Sequence, residues 1–261
     1  MISIAGSDSG GGAGIQADLK AFARCGVHGA TAITAITVQN TVEVRAVYPL
    51  PPQAIVEQVA AVAEDIGIDA VKIGMLGSVE TIEAVAEALR HTGQAPVVID
   101  PVMIAESGAR LLPEDAIQAL RETLVPRAAV ITPNIPEACA LSGLAGGARV
   151  DELVRSLHAL GPTAVVVTGG HREEATDVFF DGAEVVEIPG ERYPDGASHG
   201  SGCTHSSALA AHLALGCEPV EAARRAKAVA AEAVRFGLDG LGAGAGPVDV
   251  FGLARKAAVS G

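Results

Sequence analysis

Along most of this chain, short β-branched runs alternate with amphipathic stretches, and that alternation predicts a repeating strand-then-helix order. Ile2-Ser3-Ile4-Ala5 reads as a first strand, followed by a helix from Ile15 to Cys25. Ala32 to Val38 and Val42 to Tyr48 read as a strand and its hairpin partner. Pro51 and Pro52 suit a helix start, where a missing N–H costs little. Ile55, Val59, Val62 and Ile66 then fall on one helical face. Strands at 70–73, 96–100 and 129–131 each lead into a helix, the first carrying Val79, Ile82, Ala86 and Leu89, the second Ile117, Leu120 and Leu124, the third Glu137 to Leu141. Leu153, Leu157 and Leu160 line a further helix, and Ala164 to Val167 is continuously apolar, as strands covered on both faces are. Phe179 to Ile188 reads as a hairpin turning at Asp181-Gly182, with helices at 203–215 and 219–236 beyond it.

This order predicts an α/β fold: a single-domain, doubly wound, mainly parallel sheet flanked by helices, spanning 1–261, with 237–261 as loop and C-terminal tail. In such sheets ligands bind at the carboxyl ends of the strands. The segments 6–14, 74–77, 100–108, 132–137, 168–171 and 200–203 all follow strands, so six loops are expected on one edge.

Composition narrows the reading. Hydrophobic residues make up 49% of the 261 positions, but aromatics only 3%, with no Trp. The core must therefore be built from Ala, Val, Ile and Leu. A net charge of −13 argues against nonspecific nucleic-acid binding, which needs Lys and Arg against phosphates. It leaves room for a small phosphate ligand held by local N–H groups. Cys25, Cys139, Cys203 and Cys217 form no CxxC pair, which fits a reduced, cytoplasmic protein. No run approaches the ~18 apolar residues of a membrane helix. Met1 leads straight into apolar residues without the basic segment of a signal peptide.

The candidate chemistry sits in the predicted loops. Gly200-Ser201-Gly202-Cys203 opens into an alanine-rich helix, and consecutive N–H groups at a helix start form a cradle for negative charge. Such donors, with metal ions, carry most of phosphoryl-transfer catalysis; an ordinary loop-to-helix junction is the plain alternative. Gly12-x-Gly14-x-x-Ala17 nominally fits a dinucleotide fingerprint, but after Asp18 the next acid is Glu43, so the ribose-binding acid is missing. No Walker lysine is present either. Asn134 and Glu137 stand three apart after a strand: on a first helical turn they hold the water shell of Mg²⁺ or serve as N-cap and capping partner. Asp100 ends an apolar strand and either caps a loop or helps hold metal. Lys72 lies inside a buried-looking strand and must reach an acid or a ligand. Lys227 interrupts an apolar helix face, either snorkelling or covering a nucleotide. His199, Cys203 and His205 match no usual zinc spacing.

Taken together, IAGSDSGGGAGIQADLKAF at 4–22, TAITVQNT at 34–41, DAVKIGMLGS at 69–78, VIDPVM at 98–103, SGARLL at 107–112, VITPNIPEA at 130–138, VTGGH at 167–171 and HGSGCT at 199–204 resemble the hydroxymethylpyrimidine/phosphomethylpyrimidine kinases of the ribokinase-like superfamily. Gln39-Asn40 and Cys203 set this group apart from sugar kinases, which carry Asp at the latter place. The resemblance implies ATP and Mg²⁺, with successive transfers to 4-amino-5-hydroxymethyl-2-methylpyrimidine and to its monophosphate, as a step of thiamine biosynthesis. By motif match it puts Gly6, Asp18, Gln39, Met75 and Val102 at the pyrimidine. It puts Asn134 and Glu137 in a magnesium motif; Asp100 is read as a metal ligand near the phosphates from its place at the strand's end, not from the resemblance. Gly200, Ser201, Gly202 and Cys203 become the anion hole, and Thr168 falls on the nucleotide side, where Lys227 is placed from its helix face and not from the resemblance. A homodimer follows from the same resemblance. Thr168 stands where many relatives have Lys, and Pro194 to Ser198 departs from the usual Thr/Asn-rich lead-in. A pyridoxal or pyridoxine kinase, or a non-catalytic pyrimidine-binding regulator, are the alternatives. Cys203 in place of Asp suggests a site that admits an anionic acceptor, since a phosphate needs no base and an aspartate would repel it.

Overall fold

The structure, a computed structural model, describes residues 1–170, 175–193 and 197–253. His171, closing the VTGGH motif, and Pro194 to Gly196 of the lead-in lie outside the described residues, as does the tail beyond Leu253. Among the described residues nine strands form one sheet. They are β1 (Ile2–Asp8), β2 (Ala30–Gln39), β3 (Val44–Pro49), β4 (Val71–Ile73), β5 (Val97–Ile99), β6 (Val130–Ile131), β7 (Ala164–Val167), β8 (Asp177–Phe180) and β9 (Val185–Ile188). Their order is β3-β2-β1-β4-β5-β6-β7-β8-β9. The pairings from β2 through β1 and β4 to β7 are parallel; β3, β8 and β9 add antiparallel edges.

Helices cover both faces. Against one pack α2 (Pro52–Asp65), α3 (Val79–Ala88), α4 (Glu114–Thr123), α5 (Ile135–Ser142) and α6 (Val150–His158), burying Ile4, Ile73, Ile99, Ile131 and Val165. Against the other pack α1 (Gly14–Arg24), α7 (Ser201–Ala214) and α8 (Pro219–Arg235), burying Phe22, Val98, Val130, Val166 and Leu209. Adjacent positions in β5 and β7 divide between the two cores, which is why these strands read as unbroken apolar runs.

Two local expectations fail for identifiable reasons. Ile66, expected on the buried face of α2, is 59% exposed: the helix ends at Asp65 and Gly67, at φ +81°, turns the chain away. Val42 lies outside β3 and is exposed, because Asn40 Oδ1 accepts the N–H groups of both Val42 and Glu43 and makes a tight turn there. The Gly-rich 240–246 segment is a loop as expected, but it is tied down: Gly244 N–H donates to Thr41 Oγ1 at 3.2 Å, and Val248 N–H to His199 O at 3.0 Å.

Candidate active site

A cavity of about 490 Å³ opens along the carboxyl edge of the parallel strands, a usual size for a small-molecule site. All six loops singled out in the sequence contribute to its lining. From β1 to β7 the sheet takes four strand steps, so the cavity's two sides stand about 19 Å apart at the usual strand spacing. That separation accommodates a small ring at one side and a nucleotide at the other.

The β1–β2–β4–β5 side holds Gly6, Gln39, Met75 and Val102, all on the cavity wall. The β1–β2 register slips between Ala5 and Ser7, where Gly6 alone faces Thr34 and Ala35 of β2, and a Cβ on Gly6 would strike the Met75 methyl. A second register slip in β2–β3, at Val38/Gln39, lies where the Gln39 amide meets the cavity. Thr37 Oγ1, 3.1 Å from Gln39 Oε1, braces that amide.

Asp8 turns the glycine run into a fixed loop. Its carboxylate accepts the N–H groups of Gly10 (2.8 Å), Gly12 (3.0 Å) and Ala13 (2.8 Å), and His199 Nε2 lies 3.3 Å away. Burial pushes the Asp8 carboxyl up, but His199 and these N–H groups outweigh it and hold it below its ordinary value. Gly12 admits no side chain, since a Cβ would run into His199. The first loop is thereby locked to the head of α7.

There, Gly200 takes a left-handed conformation (φ +83°) as the N-cap, and a Cβ would collide with Gly12 O. Ser201 corrects the expectation of an unbroken row of free donors. The turn closed by Gly200 directs Ser201 N–H back to Ser198 O at 3.0 Å. Among the described residues no hydrogen bond takes up the N–H groups of Gly202 and Cys203, and both residues line the cavity. α7 carries no acid in its first turn and no side-chain cap, so its positive end is uncompensated beside the cavity.

A layer of buried charge lies under this cradle. Lys72 Nζ donates to Asp18 Oδ1 at 2.9 Å and lies 3.8 Å from Asp100 Oδ2. Burial would lower its pKa, but the carboxylates outweigh that and hold it above the usual lysine value. Asp18 is a correction: expected against the ring, it is wholly buried and absent from the lining, because Lys72, Ser3 and Ser207 claim its oxygens. Asp100 and Glu137 both reach the cavity. Burial first, and the Asp100 charge second, push Glu137 up to about 8. Burial likewise pushes the Cys203 thiol up to about 12, against the pull of Lys72.

Asn134 and Glu137 form a capping box: Asn134 Oδ1 accepts Glu137 N–H at 2.9 Å, and Glu137 Oε2 accepts Asn134 N–H at 3.0 Å. Both residues nonetheless line the cavity, so capping and ligand duty are compatible. On the β6–β8 side stand Thr168 and Lys227. Lys227 neither snorkels nor hangs free; its Nζ is 2.7 Å from Asp177 Oδ1, which also accepts Gly169 N–H at 2.8 Å. His205 Nε2 stands 3.2 Å from Asp177 Oδ2. Burial pushes Asp177 up, yet His205, Lys227 and the Gly169 N–H together hold it below its ordinary value.

Sequence reasoning missed Asp8, Asp177 and the α7 serines. An acid directly before a glycine run is a readable signal for a side chain gathering N–H groups. Asp177 gives none, since its partner Lys227 lies 50 residues away.

A family model described as phosphomethylpyrimidine kinase matches residues 8–249. A hydroxymethylpyrimidine/phosphomethylpyrimidine kinase of Rhizobium meliloti is 49% identical, over 96% of this chain and 96% of that protein. Among solved structures, an ADP complex of Bacillus subtilis pyridoxal kinase superposes with a TM-score of 0.88 at 41% identity, covering 97% of each chain. The phosphomethylpyrimidine kinase of Clostridium difficile gives 0.78 at 43% identity, covering 89% of this chain and 98% of its own.

Proposed function

The chain belongs to the phosphomethylpyrimidine kinase family, and from that premise we propose that it moves the γ-phosphoryl group of ATP in two steps. The first acceptor is the hydroxyl of 4-amino-5-hydroxymethyl-2-methylpyrimidine and the second is the resulting monophosphate, giving the diphosphate used in thiamine biosynthesis. The observation that carries this reading is a two-sided cavity with free Gly202 and Cys203 N–H groups at the helix start that lines it. Gly6, Gln39, Met75 and Val102 hold the ring; an amide suits an aminopyrimidine edge because it both donates and accepts. Thr168 and Lys227 serve the nucleotide. The family match and the continuous sheet support one kinase domain over 1–261.

In each step a bond forms between the acceptor oxygen and Pγ while the bond from Pγ to the bridging β-oxygen breaks. The Gly202 and Cys203 N–H groups take the charge that spreads over the γ-oxygens. Asp100 and Glu137 supply hard oxygens for Mg²⁺, and the mutual repulsion of these buried carboxylates is relieved by a cation. When bound, that ion neutralises charge on the triphosphate. Burial pushes the Cys203 thiol up to about 12, so it stands as a neutral group beside the first acceptor, whose hydroxyl proton leaves to the transferred phosphoryl oxygens or to water as the O–Pγ bond forms. The second acceptor is already anionic, since a phosphate monoester's second pKa is about 6.

No helix among the described residues is long and apolar enough to cross a membrane. The four free cysteines support a reducing, cytoplasmic setting. A homodimer is supported by an exposed apolar stripe on β2–β3, where Ile36 and Val38 share a face with Tyr48. Pyridoxal kinase is the second reading, favoured by the superposition on a solved enzyme of that name. Parallel kcat/KM measurements on the aminopyrimidine alcohol and on pyridoxal, each with ATP, separate the two. A preference for pyridoxal sinks the first reading.

A further inference from the structure

A buried polar knot lies directly beneath the cradle. Ser3 and Lys72 are register partners on the sheet face covered by α1 and α7, where Ala70 and Val98 are apolar. Asp18 of α1 accepts from Lys72 at 2.9 Å, from the Ser3 hydroxyl at 2.5 Å and from the Ser207 hydroxyl at 2.7 Å. Ser206 Oγ lies 3.0 Å from Asp100 Oδ2, which in turn lies 3.8 Å from Lys72. These side chains are all buried, and Lys72 and Asp18 have no exposed surface at all.

An ion pair at this depth is poor value as a fold stabiliser, because well-packed apolar residues of similar size commonly do as well or better. Its position is informative. Two of the knot's hydroxyls belong to consecutive residues of α7, about one turn beyond Gly202 and Cys203. Ser206 Oγ also stands 3.0 Å from Gly202 O and 3.2 Å from Cys203 O, touching the backbone of the cradle itself. The helix start has no side-chain cap of its own; the first loop meets it from one side, and the knot meets it from below.

We propose that the Lys72–Asp18 ion pair, through Ser207 directly and through Asp100 and Ser206, seats the first turns of α7 and thereby sets where the Gly202 and Cys203 N–H groups meet the transferring phosphoryl group. Lys72, Asp18, Ser206 and Ser207 are positioning residues, not catalytic ones. The inference rests on the cradle reading of the proposed function.

The test compares Ser207→Ala, Lys72→Met and their double variant with the wild type, recording melting temperature and both kinetic constants for the aminopyrimidine alcohol. Ser207→Ala removes the tether and leaves the ion pair in place. Its kcat should fall by about 10- to 100-fold, as sub-ångström to ångström misplacement of a catalytic group does. KM for the pyrimidine should stay within about twofold and the melting temperature near that of the wild type, since the ring pocket stands on other elements. The double variant should lose no more in kcat than the worse single, because both changes undo one seat. Should Lys72→Met not fold, Asp18→Asn, which breaks the same ion pair on the Ser207 arm, takes its place in the cycle. A Ser207→Ala enzyme with wild-type kcat, or losses that multiply in the double variant, overturns the proposal. A wild type that transfers no phosphoryl group to the pyrimidine instead counts against the functional reading.

Discussion

Cys203 joins the cradle to the choice of acceptor. Among the described residues its N–H has no hydrogen-bond acceptor, and its thiol is neutral, so the residue offers a dipole without a negative charge. Replacing Cys203 with Asp should slow the second transfer more than the first, because a carboxylate repels an anionic acceptor and not an alcohol. Equal losses in the two steps, measured with each acceptor supplied separately, would remove that explanation. Asp8 and Asp177 belong to the same scale. Both have folded pKa values depressed below the ordinary 3.8, so they stabilise the fold above that pH and cease to do so as pH falls through their lowered values. Urea unfolding at pH 6 and pH 3 reads the Asp177 contribution as the difference between the wild type and Asp177→Asn, because the raised Glu137 and Asp100 act in the opposite sense over that range. Asp177→Asn should start less stable at pH 6 and lose less between the two; an unchanged pH slope contradicts the assignment.

At the scale of elements, the head of α7 depends on two loops fitting without side chains. Gly200→Ala forces a left-handed alanine and drives its Cβ into Gly12 O. A stability loss of at least about 2 kcal/mol is expected from backbone conformation and displacement together. With it should come a fall in kcat, read from a thermal melt and a turnover assay on the same preparation; an active variant as stable as the wild type would show the approach to be looser than described. The loop itself was legible as a Gly-rich turn entering an Ala-rich run, but that alone reads equally as an ordinary loop-to-helix junction; six loops on one sheet edge and the family motif tipped it. That Ser201 N–H turns inward was not, since it depends on the left-handed φ of Gly200. The strand–helix alternation was equally readable from periodicity. The close approach of Met75 to Gly6 was hidden, because glycine marks a permissive backbone without saying what approaches it. Asp18 misled for a related reason: motif spacing placed it near the ring, whereas its depth depends on Lys72, 54 residues away. Contacts of that separation leave no periodic trace in one sequence.

For the whole molecule, the sheet edge at β2–β3 and the full-length cavity make different claims. Ile36, Val38 and Tyr48 are 49%, 41% and 62% exposed on one face, so Tyr48→Asp should shift sedimentation from a dimer towards a monomer. A wild type that sediments as a monomer refutes the dimer. The cavity lining runs from Gly6, Gln39 and Met75 past the α7 cradle to Lys227, and the proposed function assigns this one site two successive transfers. Phosphorus NMR of a reaction holding ATP, Mg²⁺ and the aminopyrimidine alcohol tests that assignment most directly. A monophosphate ester resonance should grow first and then give way to the paired resonances of a diphosphate, while ADP accumulates. ATP left intact, or a monophosphate that persists with enzyme and ATP in excess, would contradict it.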